Sequence, residues 1–101
     1  MTSPVLPICI TLGTRPEAIK LAPVIQQFRC CSAFETHVVL TGQHREMVDQ
    51  VMQLFELSAD RDLEIMQAKQ TLTDITCRSL RGLETVFQDI QPKLVIVQGD
   101  T

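Results

Sequence analysis

The stretch Leu6-Pro7-Ile8-Cys9-Ile10-Thr11-Leu12-Gly13-Thr14-Arg15-Pro16-Glu17 decides how the chain reads. Its first seven residues are largely apolar and β-branched and stop at Gly13, the pattern of a short strand buried on both faces. Pro7 is tolerated only near the start of such a strand, because it cannot donate to the ladder. Beyond Gly13 the character turns helical. Thr14 is placed to cap a helix, and Glu17, three residues on, to complete a capping box. Pro16 falls in the first turn, where a missing N–H costs little. Ile19, Ala22, Ile25 and Phe28 then continue one helical face. Pro23 removes a donor within that pattern and is expected to kink the helix or end it early.

The same alternation repeats downstream. Residues 37–41 read as a second strand closed by Gly42, followed by a helix with Met47, Val51, Leu54 and Phe55 on one side. Residues 63–66 are expected to form a short third strand. The clearest helix carries Leu72, Ile75, Ser79, Leu83, Val86 and Ile90 at steps of three and four, with Thr71 or Thr73 available as its cap. Gln91-Pro92 stops it, and residues 94–97 form another buried strand. Strands alternating with helices imply βαβ units, hence an α/β fold built on a parallel sheet. No repeat, low-complexity segment or internal linker interrupts it. Three helices cover such a sheet thinly, so the chain is expected to be part of something longer.

Composition narrows the function classes. The chain has 101 residues, 45% hydrophobic and 21% charged, with a formal net charge of −3. There is no overall basic field to attract nucleic acid or an anionic membrane. The only aromatic residues are four Phe, too few for a base-stacking platform. No run approaches the ~20 apolar residues of a membrane span, and no secretory leader pattern opens the chain. Cys9, Cys30, Cys31 and Cys77 include no C-x-x-C spacing, and the neighbours Cys30 and Cys31 make a poor zinc clip. The expectation is a reduced, cytoplasmic chain with buried thiols and neither metal nor cofactor. Met47, Met52 and Met66 read as core filling, and His37 as a surface residue at a strand start.

Ligands in open parallel sheets bind beyond the carboxyl ends of the strands, where strand order reverses. If the first strand lies between the second and the last, two loops meet there: residues 13–17 and Gly99-Asp100-Thr101. Gly13 permits a tight turn and close backbone approach. The N–H groups of the helix start attract anions, and Arg15 adds a planar fork suited to phosphate oxygens. Lys20 lies about one and a half turns further along. Neither a Walker A loop nor a G-x-G-x-x-G fingerprint is present. Two readings of Asp100 stand side by side, a cap for a following helix and a general acid/base or sugar-hydroxyl anchor. The cluster Thr41-Gly42-Gln43-His44-Arg45-Glu46 is likewise either a solvated helix start or a second edge of the ligand site.

Taken together, Gly-Thr-Arg-Pro-Glu-Ala-Ile-Lys-Leu-Ala-Pro at 13–23, Thr-Gly-Gln-His-Arg-Glu-Met at 41–47 and Gln-Gly-Asp-Thr at 98–101 resemble the non-hydrolysing bacterial UDP-N-acetylglucosamine 2-epimerases. Asp-Leu-Glu-Ile-Met at 62–66 and Gln-Thr-Leu-Thr at 70–73 resemble the family's intervening stretch in order and spacing. The resemblance implies a GT-B-type fold of two Rossmann-like domains with the active site between them. Residues 1–101 would then be a partial N-terminal Rossmann-like domain, with the C-terminal domain absent from this chain. It further implies interconversion of UDP-N-acetylglucosamine and UDP-N-acetylmannosamine through elimination and re-addition of UDP, in a homodimer serving polysaccharide biosynthesis. By resemblance, Arg15 meets the UDP phosphates with Gly13 and Thr14 beside it, and Lys20 and Asp100 take catalytic roles. Gln43, Glu46 and Lys69 align with a region where some members bind a second substrate molecule as activator. Those members carry Gln and Arg where this chain has Glu46 and Lys69. The alternatives are an inert nucleotide-sugar-binding module and part of a GT-B-type glycosyltransferase.

Overall fold

The computed structural model describes residues 5–43 and 45–98. Among them the elements run β1 (Leu6–Leu12), α1 (Arg15–Arg29), β2 (Phe34–Leu40), α2 (Arg45–Leu54), β3 (Arg61–Asp62), α3 (Leu72–Ile90) and β4 (Leu94–Val97). The strands form one parallel sheet in the order β3-β2-β1-β4. The α/β parallel sheet expected from the sequence is therefore present, with β1 between β2 and β4.

Strand alternation sends successive side chains to opposite faces, and both faces of β1 are covered. Ile8, Ile10 and Leu12, with Val38 and Leu40 of β2, pack against Ala18, Leu21 and Ile25 of α1 and Val48, Val51 and Met52 of α2. Cys9 and Val39 point the other way, onto Val86 of α3. A helix pair thus covers one face and a single helix the other. Burying each of these aliphatic side chains contributes about 1.5–3 kcal/mol.

Several local expectations are corrected. Pro23 neither ends nor breaks α1, which continues to Arg29. Pro23 is exposed, as is Ile19, whose carbonyl loses its helical donor to the ring. Ile19 does not belong to the buried face of α1, being 46% exposed while Leu21 is buried. On α2 the buried residues are Val48, Val51 and Met52, whereas Met47 and Leu54 are exposed. Met66 is exposed as well, so of the three methionines only Met52 fills the core. Of the thiols, only Cys9 is buried; Cys30, Cys31 and Cys77 are exposed. Burial raises the Cys9 thiol above its ordinary pKa, which keeps it neutral and unreactive.

β3 is two residues long and ends where residues 63–66 were expected to begin a strand. Backbone geometry selects it: Arg61 and Asp62 pair with Val39 and Leu40, and the Leu63 N–H donates to the Leu40 carbonyl at 2.7 Å. Charged side chains hold this short edge. The Asp60 carboxylate accepts the Val38 N–H at 2.7 Å and Arg29 Nη2 at 3.1 Å. On the other face Arg61 donates to Asp89 of α3 at 2.8 Å. β2 begins at Phe34, ahead of the expected 37–41, so His37 is half-buried within the strand and not a surface residue at its start, its Nε2 2.7 Å from Glu35 Oε1.

α3 starts as its sequence requires. Thr71 Oγ1 accepts the Asp74 N–H at 3.1 Å and Asp74 Oδ2 accepts the Thr71 N–H at 3.0 Å, a complete capping box. It ends at Gln91 in the left-handed region, φ 51°, directly before Pro92. Only Val86 of this helix is fully buried, and Leu72, Leu80, Leu94, Val95 and Val97 are exposed. The side of the sheet beyond β4 is apolar and uncovered among the described residues.

Two outcomes test this account. Asp60→Ala leaves the Val38 N–H without its side-chain acceptor and removes the ion pair to Arg29, which keeps only the Ser58 carbonyl at 2.8 Å, and is expected to cost about 1–2 kcal/mol in urea denaturation. The Thr71 hydrogen bonds hold the Asp74 carboxyl below the usual carboxylate range. Because the folded pKa is depressed, its contribution is complete above the unfolded pKa and disappears as pH falls through the folded value. Denaturation midpoints between pH 5 and pH 2 should therefore fall less steeply in Asp74→Asn than in the parent chain.

Candidate functional site

β1 is followed by a chain that steps to β2 on one side, whereas β4 adds on the other, so strand order reverses between β1 and β4. The two are parallel, with Thr11 opposite Val97, and their carboxyl ends open at the same edge. This is the position of a ligand crevice in open parallel sheets. The loop from Gly13 to Arg15 stands over it. Gly99, Asp100 and Thr101 of the second expected loop lie outside the described residues, as does His44.

The first loop is built for close contact. Gly13 and Thr14 are both buried. A Cβ on Gly13 would overlap the Thr41 hydroxyl and sit 3.6 Å from the Gln43 Cβ, so only glycine lets the loops after β1 and β2 touch. Thr14 is the N-cap of α1 in an extended conformation, and its carbonyl accepts the Ala18 N–H at 3.0 Å. The expected capping box is not the one formed. The Thr14 side chain makes no cap hydrogen bond, and Glu17 Oε1 accepts instead from the Gly13 N–H at 2.8 Å, one residue further back. That bond fixes the turn before the helix. Pro16 occupies the first turn as expected. Arg15 and Lys20 are exposed on the first turns of α1, where the helix dipole and terminal N–H groups favour an anion. The Thr11 hydroxyl, buried near the end of β1, has no hydrogen-bond partner among the described residues.

The second loop is pinned as firmly. Gly42 has φ 89°, and a Cβ there would meet Asp62 Oδ1 and the Glu64 Cα, each at 3.0 Å. Both the positive φ and the crowding exclude a side chain. The Thr41 carbonyl accepts the Ile65 N–H at 3.0 Å, and Asp62 Oδ1 accepts the Glu64 N–H at 2.9 Å. Arg45, at the start of α2, lies 3.5 Å from both the Asp62 and Glu64 carboxylates and 3.9 Å from Asp49. Asp62 and Glu64 were not marked as site residues by sequence reasoning; an Asp-x-Glu following a strand end was their only signal.

Beside this loop lies an open cavity of about 430 Å³ lined by Gly42, Gln43, Arg45, Glu46, Met47 and Met66. It brings together Gln43 and Glu46 of the expected activator region. Lys69 is not among its lining residues; it is exposed, in a left-handed conformation of φ 60°. A separate cavity of about 480 Å³ between α3 and residues 63–65 contains none of the expected site residues. Among the described residues no group of three or more His, Cys, Asp or Glu is placed to hold a metal ion, and no helix is long and apolar enough to cross a membrane.

A parallel sheet covered by helices on both faces, with a glycine-tight helix start bearing Arg15 at its switch point, defines the chain as a Rossmann-like α/β protein. The model of the UDP-N-acetylglucosamine 2-epimerase family matches residues 26–101, and the chain belongs to that family. It is 50% identical over 94 residues to the UDP-N-acetylglucosamine 2-epimerase of Yersinia pestis, covering 93% of this chain and 25% of that protein. The crystal structure of the Neisseria meningitidis UDP-GlcNAc 2-epimerase bound to UDP-GlcNAc matches 95% of this chain and 26% of its own, with TM-score 0.87 and 46% identity. The S. aureus MnaA–UDP co-structure matches with TM-score 0.86 and 42% identity, over 96% of this chain and 25% of its own. The chain thus spans about a quarter of the length of these relatives.

The contact between the two loops is open to a double-mutant test. Gly13→Ala is expected to destabilise the chain by about 1–3 kcal/mol, as overpacking does. Thr41→Ala removes the overlapping hydroxyl and should recover much of that loss in the Gly13→Ala/Thr41→Ala pair, giving a coupling of roughly 0.5 kcal/mol or more. Additive losses would show that the two residues do not meet.

Proposed function

We propose that this chain forms one wall of the nucleotide-sugar cleft of a UDP-N-acetylglucosamine 2-epimerase. The observation that carries the reading is the buried Gly13-Thr14 turn presenting Arg15 and the α1 N-terminus at the β1–β4 switch point. It is supported by the likeness, at 46% identity, to an epimerase solved with UDP-GlcNAc. The reaction is the interconversion of UDP-N-acetylglucosamine and UDP-N-acetylmannosamine. UDP is eliminated to leave a 2-acetamidoglucal, then added back with C2 inverted.

The departing UDP develops negative charge on its β-phosphate. Preorganised donors aimed at that charge lower the barrier, because they need no rearrangement as it forms. In this reading Arg15 and the α1 N–H groups are those donors, and Gly13 lets the phosphates approach the backbone. Lys20 and Asp100 act in elimination and re-addition, where removing a carbon-bound proton needs a positioned base. Gln43 and Glu46 border the place of a second, activating ligand; Lys69 would have to reach it from outside the cavity.

The remaining length of the relatives supplies, on this reading, the facing wall: a second Rossmann-like domain of a GT-B-type fold. The exposed apolar residues Leu94, Val95 and Val97 of β4 support a sheet that continues beyond β4. The enzyme works as a cytoplasmic homodimer, in polysaccharide biosynthesis.

The test uses protein carrying this chain at the full length of its relatives. UDP-N-acetylglucosamine should be converted, and Arg15→Ala should lower kcat by roughly 10²–10³-fold, the scale of losing one charge-stabilising donor. Conversion unaffected by Arg15→Ala would refute the assignment of Arg15, and no conversion under any substrate or activator condition would refute the activity. Calorimetry of the 101-residue chain with UDP should show weak or undetectable binding, as half a cleft allows.

A further inference from the structure

A second pair of reactive groups lies at the other end of the sheet. Cys30 caps the C-terminus of α1 and Cys31 follows it in the turn that leads into β2. Both thiols are free and exposed. Their Cα atoms, as neighbours in the chain, are about 3.8 Å apart, and each sulfur turns on a single χ1 rotor. The position is fixed from below: the Cys30 N–H donates to the Gln26 carbonyl at 3.1 Å and the Cys31 N–H to the Phe28 carbonyl at 3.0 Å.

The surroundings restrict what two such thiols can hold. A structural zinc needs four protein ligands, and the described residues provide no cluster of even three. A centre satisfied by two sulfurs must bring its own third substituent. Beside Cys31 lies an open, apolar depression of about 170 Å³ lined by Gln27, Phe28, Cys31 and Phe34. The Phe28 and Phe34 rings meet edge to face with centroids 5.1 Å apart. An apolar space of about 150 Å³ is enough for a benzene ring.

We propose that Cys30 and Cys31 form a two-thiol site for trivalent arylarsenicals, with the aryl ring seated against Phe28 and Phe34. The step is an exchange without oxidation. An arylarsine oxide and two thiols form two As–S bonds; the two S–H protons and the arsenic-bound oxygen leave as water, and arsenic stays trivalent. The site is separated from the Gly13 loop by the length of β1, about 20 Å at 3.3 Å per residue, so occupancy does not touch the proposed UDP-sugar cleft.

The experiment uses the 101-residue chain and phenylarsine oxide. Titration with a disulfide reagent under native conditions should count the three exposed thiols before treatment and one, Cys77, afterwards. Intact mass should show one adduct that survives excess monothiol and is released by a dithiol. Because the second As–S bond forms intramolecularly, Cys30→Ser or Cys31→Ser should weaken retention against monothiol roughly 10²-fold, while Cys77→Ser leaves it unchanged. Both serine variants keep the backbone bonds of the turn, and circular dichroism verifies their fold. Arsenite, which lacks the ring, should be held less tightly. Adduct loss to monothiol in the parent chain, or retention in the Cys30→Ser/Cys31→Ser double variant, would overturn the site. Equal retention of arsenite would overturn the seat on Phe28 and Phe34.

Discussion

Everything in this chain is referred to one strand that is hydrogen-bonded on both edges and buried on both faces. β1 pairs with β2 at every position from Leu6 to Leu12 and with β4 from Ile8 to Thr11. Its backbone groups are satisfied by neighbours, which a strand in an apolar interior requires. Its side chains then dictate the layers. Ile8, Ile10 and Leu12 call for one apolar cover, supplied by α1 and α2, and Cys9 for another, supplied by α3. A strand so constrained has little freedom to shift, and a one-residue slip would exchange its two faces. The loop that leaves it at Gly13 inherits that rigidity.

The site depends on the rigidity because its parts are backbone as much as side chain. Gly13 lies against Thr41, and Gly42 against the Asp62 carboxylate and the Glu64 backbone. Two glycines at the ends of adjacent strands therefore bring three chain segments within van der Waals contact. Glu17 closes the first turn from the helix side through the Gly13 N–H. Arg15 is carried on the helix start that this bond ties to the strand end, the kind of support that the donor role proposed for it would require.

The sequence was legible where one force dominated. β1 and β4 read directly as strands because their runs are apolar and β-branched, but β4 is not the buried strand expected, since Leu94, Val95 and Val97 are exposed among the described residues. α3 read directly because its heptad-like spacing carries both a capping box and a Pro stop. It was less legible where two periodic phases share residues. On α2, Met47, Val51, Leu54 and Phe55 and the set Val48, Val51, Met52 and Phe55 both satisfy a helical spacing, and only the position of α1 selects the second. β3 was displaced because its two residues are charged: pairing with Val39 and Leu40 and the ion pairs of Asp60 and Arg61 form it, none of which hydropathy records. Pro23 misled because its cost depends on whether the orphaned carbonyl meets water, a matter of orientation. The sequence singled out the loops at 13–17 and 41–46 as candidates, but not their mutual contact, since nothing in a linear pattern says that Gly13 meets Thr41.

Charge shows why a net value says little about such a site. The chain carries −3 overall, which by itself argues against an anionic ligand. At a Debye length of about 8 Å in physiological salt, however, a bound phosphate senses only nearby groups. Arg45, at the second loop, has its charge taken up by Asp49, Asp62 and Glu64, so it serves the architecture of that loop. At the first loop Glu17 turns its Oε1 back to the Gly13 N–H while Arg15 stays on the exposed side of the helix start. The same residue types thus do opposite work at two adjacent strand ends. At one, carboxylates neutralise a guanidinium to hold a loop; at the other, a carboxylate is occupied by the backbone and the guanidinium is left to the solvent side. For the proposed cleft it is therefore the local arrangement, not the overall balance, that bears on how an anion would be received at the edge between β1 and β4.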